Sequence, residues 1–134
     1  MRKTFIPTLR YNDAKAAIDF LVEAFGFDRH AVYEDDGKIS HAELTYGDGM
    51  VMLGDNVESE YGKLVTVPSE AGKPTGGIYV TVEDPYAHAE RARAAGAEIV
   101  REPEDQDYGG ANYTARDPEG YIWDFGSYDP WAAS

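Results

Sequence analysis

The side chains best suited to chemistry in this 134-residue chain fall in three short, largely apolar stretches. In Ile39-Ser40-His41-Ala42-Glu43-Leu44-Thr45 an imidazole and a carboxylate stand two positions apart. In an extended strand that spacing puts both on one face, where a His beside a Glu could do acid–base work near neutral pH. In Tyr121-Ile122-Trp123-Asp124-Phe125, Asp124 interrupts a run otherwise fit for burial. A carboxylate there is costly unless it is paired, hydrogen-bonded or functional. Asn112, Thr114 and Arg116 alternate along the third stretch. Arg116 could grip an anionic or carbonyl group of a ligand, or neutralise Asp124 or Glu43 in a purely structural network.

Other chemistries are excluded by composition. There is no cysteine, which removes disulfides, thiolate metal sites and cysteine nucleophiles. Of the other histidines, His30 reads as a surface residue after the first helix and His88 as a structural residue in mid-helix. The formal charge of −13 argues against nucleic acid and against anionic membranes, both of which need clustered Lys and Arg. It reads as solubility through self-repulsion. No apolar run approaches the ~20 residues of a membrane span, and Met1 to Pro7 lacks the apolar core of a signal peptide. A cytoplasmic protein is expected.

The elements that must position these residues repeat. The spacing predicts a strand over 5–10, a helix over 14–25 started by Asp13 and stopped by Gly26, and strands over 27–33, 39–46 and 50–53. The polar stretch 54–76 reads as a linker whose Tyr61 to Val65 portion could cover a pocket. The pattern then restarts: a strand over 77–82, a helix over 86–95 with Asp84 as N-cap and Pro85 in its first turn, and strands over 98–102, 111–116 and 121–125. Asp-Pro-Glu-Gly at 117–120 is the last turn. The halves superpose at a shift of 71 residues, which takes Asp13 to Asp84 and Leu9 to Val80. Two β-α-β-β-β units, each too small to bury its sheet alone, predict one α+β domain over 1–134. Module one covers 4–54, the linker 55–75 and module two 76–127, with a curved mixed sheet and helices on its outer face.

Leu9-Arg10-Tyr11-Asn12-Asp13, Phe25-Gly26-Phe27, Val82-Glu83-Asp84-Pro85 and Arg116-Asp117-Pro118-Glu119-Gly120-Tyr121 resemble the vicinal oxygen chelate superfamily. That superfamily includes glyoxalase I, ring-cleaving dioxygenases and bleomycin-resistance proteins. His41-Ala42-Glu43-Leu44 and Trp123-Asp124-Phe125-Gly126 look most like its bleomycin-resistance-like branch. The resemblance implies a homodimer in which modules from two chains build two pockets, and four metal ligands drawn from the first and last strands. It assigns those ligands to Ile6, Leu53, Gly77 and Asp124, of which Asp124 alone can bind a metal. Open metal sites use about three protein ligands, so no metal cofactor is expected.

With Ile6 and Asp124 on the cavity face, alternation adds Thr8, Arg10, His41, Glu43, Tyr79, Thr81, Asn112, Thr114 and Arg116, and leaves Trp123 and Phe125 for the core. The catalytic candidates are His41 and Glu43; the substrate-binding candidates are Glu43, Tyr79, Thr81, Asn112, Arg116 and Asp124. The expected function is binding or sequestration of a small molecule, with no nucleic-acid or membrane partner. The alternative is a lyase or isomerase of the glyoxalase type, with or without a metal.

Overall fold

The computed structural model describes residues 4–132. Its order is β1 (Thr8–Tyr11), α1 (Ala14–Phe25), β2 (Asp28–Asp35), β3 (Lys38–Tyr46), β4 (Gly49–Asp55), α2 (Pro68–Ala71), β5 (Gly77–Thr81), α3 (Pro85–Ala94), β6 (Glu98–Asp105), β7 (Ala111–Arg116) and β8 (Ile122–Gly126). The strands form two four-stranded mixed sheets in the orders β1-β4-β3-β2 and β5-β8-β7-β6. In each, the first strand runs parallel to the last, and the middle strands form antiparallel hairpins. The α+β architecture of paired βαβββ modules is therefore present, each module contributing its own sheet.

The helices form where capping and periodicity agree. The Asp13 carboxylate accepts from the Ala16 amide, and Gly26 closes α1 at φ 82°; a glycine takes that left-handed geometry at least cost. Ala14, Ala17, Ile18, Leu21, Ala24 and Phe25 bury one face of the helix. Asp84 caps α3 through the amides of Tyr86 and Ala87, with Pro85 in the first turn. The β2–β3 hairpin turns on Asp36 and Gly37, both at positive φ, the requirement of a tight primed turn.

Some boundaries differ from the sequence expectation. β1 begins at Thr8 rather than 5, because Pro7 lacks an amide for the ladder; its carbonyl still accepts from the Met52 amide. β6 continues to Asp105 through register shifts beyond Ile99 and Arg101; as an edge strand it tolerates Pro103. The linker is more than a loop. It holds a 3-10 turn at Tyr61–Lys63 and the short α2, and it sinks Val67 and Pro68 into the protein.

The core lies between the helices and the sheets and joins the modules. The Phe25 ring packs on Trp123 and Phe125, with centroids at 5.7 and 4.7 Å. His88 donates from Nε2 to the Phe25 carbonyl (2.8 Å), so its Nδ1 accepts from the Tyr113 hydroxyl (2.6 Å). Burial, reinforced by Arg91, holds its pKa below the usual histidine value. The Arg91 guanidinium donates to the carbonyls of Glu23 and Val22 at the end of α1. At the other end, the Glu119 carboxylate accepts from the amides of Asn12 (2.6 Å) and Asp13 (2.8 Å). Module two thus sets an anion at the N-terminus of α1 and a cation at its C-terminus, both favourable to the helix dipole. Asp117 is buried beside Glu119. It accepts from the Tyr11 hydroxyl (2.6 Å), the Trp123 indole (3.0 Å) and the amides of Glu119 and Tyr121.

Candidate functional site between the modules

Strand alternation places the polar candidates on the sheet faces away from the helices, in two separate groups. On module one, Glu43 Oε2 lies 2.9 Å from His41 Nε2. Its other oxygen lies 3.8 Å from His30 Nε2; His30 is exposed, as expected, and stands at the edge of the pair. The Tyr33 ring stacks on His41 at 6.1 Å. On module two, the Thr114 hydroxyl donates to Asp124 Oδ1 (2.6 Å), and the Arg101 guanidinium donates to Thr114 Oγ1 (2.7 Å) and to Asn112 Oδ1 (3.2 Å). The Asn112 amide in turn donates to the Tyr108 hydroxyl. The Tyr79 hydroxyl donates to the Tyr128 carbonyl at 2.7 Å. Its ring lies across Gly126, where any Cβ would collide with it. Thr81 closes β5 opposite Gly126. No direct hydrogen bond among the described residues joins His41 or Glu43 to the module-two group.

Two expectations need correction. Arg116 does not face Asp124 or Glu43: its Nε pairs with Glu98 Oε1 at 3.3 Å. The register explains this, since Arg116 lies opposite Glu98 and Ile122, whereas Asp124 lies opposite Thr114. Arg101 takes the central place instead. Leu53 is not on the cavity face either; it is buried in the helix-side core. Met52 lies opposite Thr8 as Asp124 lies opposite Tyr79. The turn before β8 is longer than the turn before β4, so the last strands match at a shift of 72 (52 to 124).

The positions that the resemblance assigns to metal ligands become Ile6, Met52, Gly77 and Asp124. A Cβ on Gly77 would stand 3.7 Å from Asp124 Oδ2, so module two keeps two ligand positions side by side but only one donor. An alkyl chain, a thioether, a glycine and one carboxylate engaged by a threonine do not fit a hard or borderline divalent ion. No cluster of three His, Asp or Glu side chains suited to a metal occurs among the described residues.

Two larger cavities are lined by both modules: one of about 510 Å³ takes Tyr79 and Thr81 together with Thr45 and Met50, and the other, roofed by the linker, has a different lining. A space of about 490 Å³ lies between β1, β5 and the start of β8, roofed by residues 61–76 of the linker. Leu9, Val65, Val67, Ile78 and Ile122 give it apolar walls, and Arg10, Tyr61 and Lys73 bring polar groups. Arg10 also lines a smaller pocket of about 270 Å³ that reaches His41 and Met52. Its Nη2 donates to the Val57 carbonyl (2.7 Å), its guanidinium lies 5.6 Å from the Tyr61 ring centre, and its Nε is buried without a partner. The Tyr61 hydroxyl meets Thr8 Oγ1 at 3.0 Å, which fixes the roof to β1. Tyr121 binds the β1 backbone, accepting from the Arg10 amide and donating to its carbonyl; burial raises its pKa.

Sequence reasoning missed Arg101 and Lys73, and gave Arg10 a face but no role. The bulges of β6 hid the first. The path of the linker, a tertiary property, hid the other two.

Paired βαβββ modules with a cavity at their seam define a two-module scaffold in which the first strands β1 and β5 and the start of β8 meet at one cavity. The chain belongs to the Glyoxalase/Bleomycin resistance protein/Dioxygenase superfamily, whose family model matches residues 6–125. It is 38% identical over 121 residues to uncharacterised proteins of Mycobacterium bovis and Mycobacterium tuberculosis, covering 90% of this chain and 80% and 71% of theirs. Among solved structures it resembles TioX from Micromonospora sp. ML1, with 34% identity, a TM-score of 0.72, and 92% and 97% of the two chains covered. Glyoxalase I from Zea mays has the same fold at 21% identity and a TM-score of 0.72, over 96% of this chain and 45% of that one.

Proposed function

We propose that this protein binds a small organic molecule in the cavity between its two βαβββ modules, without a catalytic metal. The observation that carries the reading is the seam cavity of about 490 Å³, walled by both modules and roofed by the linker. Its size and its mixture of apolar walls with few polar groups match small-molecule sites in general. The donor set Ile6, Met52, Gly77 and Asp124 argues against Lewis-acid chemistry there. The proposal includes a homodimer, as the resemblance implies; Phe5 and Leu64 leave 90% and 79% of their surface exposed and could be covered by a second copy. It also includes a cytoplasmic location for a chain without cysteine; no helix among the described residues is long and apolar enough to cross a membrane.

A second reading is metal-independent lyase or isomerase chemistry. The 2.9 Å contact between His41 and Glu43 favours it, since that pair could shuttle a proton for a ligand reaching the smaller pocket.

The binding reading is tested by ligand-observed NMR of metal-stripped protein against a panel of aromatic and aliphatic fragments. Ala71→Trp, which places an indole at the cavity wall, is the blocked control. Saturable binding by the wild type and its loss in Ala71→Trp are expected. Fragments bound equally by both proteins, or by neither, would overturn the assignment.

A further inference from the structure

We infer that the seam cavity selects an organic anion: an apolar body carrying a carboxylate, sulfonate or similar group that Arg10 and Lys73 receive. The inference rests on the binding reading above and adds the charge of the ligand. The chain has 25 Asp and Glu against 12 Lys and Arg, yet the cavity is lined by two cations and by no carboxylate. Neither Arg10 nor Lys73 makes an ion pair with a carboxylate among the described residues. Three of the other surface arginines find acids: Arg29 pairs with Asp19, Arg93 with Glu102 and Arg116 with Glu98, while Arg91 and Arg101 bond to neutral oxygens. In so acidic a chain, two unpaired cations on one cavity mark a local reversal of sign.

The state of Arg10 points the same way. Its Nε is buried and has no acceptor. A buried donor left unsatisfied is unfavourable and calls for an explanation. Val57 holds one end of the guanidinium and Tyr61 lies over it, so the group is oriented before any ligand arrives. An oxyanion beside it would accept charge-assisted hydrogen bonds. Tyr61 sits on a 3-10 turn that buries none of its residues, so little packing opposes the shift needed to expose Nε. Lys73, just beyond α2, also lines the cavity and brings a flexible point charge. The apolar body of the ligand would lie on Leu9, Val67, Ile78 and Ile122. The general negative field of the protein opposes entry of an anion, but beyond about 8 Å it is screened at physiological salt.

The test compares two dyes of nearly the same apolar shape, 8-anilinonaphthalene-1-sulfonate and the uncharged N-phenyl-1-naphthylamine, in fluorescence titrations at fixed ionic strength. The wild type is expected to bind the sulfonate about tenfold more tightly. Arg10→Gln should weaken sulfonate binding about tenfold and Lys73→Gln about threefold, both leaving the neutral dye within about twofold. Lys73 is exposed, so its variant reports on charge even if Arg10→Gln disturbs the roof. Equal affinity for the two dyes, with both blocked by Ala71→Trp, would overturn the anion inference and leave the binding reading standing. Failure of both dyes to bind, or binding that Ala71→Trp leaves intact, would overturn both.

Discussion

Asp117 reads in the sequence as the first residue of a turn, and in the structure it is the hub of the module interface. Replacing it with Ala removes the acceptor for the Tyr11 hydroxyl and the Trp123 indole N–H, both in fully buried residues, and for two backbone amides. A buried donor left without a partner costs about 1–3 kcal/mol, so the two side-chain donors alone predict a loss of about 2–6 kcal/mol. That is a large share of a typical domain stability of about 5–15 kcal/mol. Tyr11→Phe removes a donor and leaves Asp117 its other partners, so it should cost only about 1 kcal/mol. In the double variant the Tyr11 penalty disappears, and the cycle should show a coupling of about 1–2 kcal/mol. Urea unfolding followed by Trp123 fluorescence in a Trp131→Phe background is the assay, because the chain has two tryptophans. An Asp117→Ala loss below about 1 kcal/mol, within reach of an ordinary turn substitution, would refute the hub.

Three further outcomes follow from the same contacts. The folded-state pKa of His88 lies below the ordinary 6.5, because burial, aided by Arg91, outweighs the opposing hydrogen bond to the Phe25 carbonyl. The unfolded chain therefore binds that proton more readily, and stability falls as pH drops through 6.5 towards the folded-state value; His88→Gln should flatten the change in urea midpoint between about pH 7.5 and 5.5. Glu119→Gln removes the charge at the start of α1 and leaves one oxygen where two accept from the amides of Asn12 and Asp13, so it should cost about 1–3 kcal/mol in urea unfolding, the charge part of which shrinks with added salt. Gly62→Ala would bring a Cβ to 2.7 Å from the Val57 carbonyl that anchors Arg10. The turn holds no buried residue, so the variant should lose under about 1 kcal/mol of stability while sulfonate-dye affinity falls at least threefold, about the effect of losing Lys73.

Local chemistry was legible and long-range partners were not. Asp13, Gly26, Asp84 and Pro85 announce both helices because capping is a nearest-neighbour property. His41 and Glu43 could be placed on one face because β3 alternates without a break between them. Arg101 could not be placed, because bulges around it break the alternation that face assignment relies on. Leu53 was assigned to the wrong face because the longer turn before β8 changes the repeat shift by one residue, and one residue flips a strand. Asp117 and Glu119 carry clear turn signals, yet their partners Tyr11 and Asn12 lie 106 and 107 residues away. The seam cavity depends on how the linker folds back over β1 and β5, which no local pattern encodes.

Metal-free binding at the seam is read most directly by a two-dimensional ¹H–¹⁵N NMR titration of the protein with 8-anilinonaphthalene-1-sulfonate in the presence of EDTA. Saturable shifts concentrated on Thr8, Arg10, Val67, Gly76, Ile78 and Ile122 around the seam cavity are expected. No saturable shift without an added divalent metal, or shifts confined to residues away from the seam, would contradict metal-free binding there.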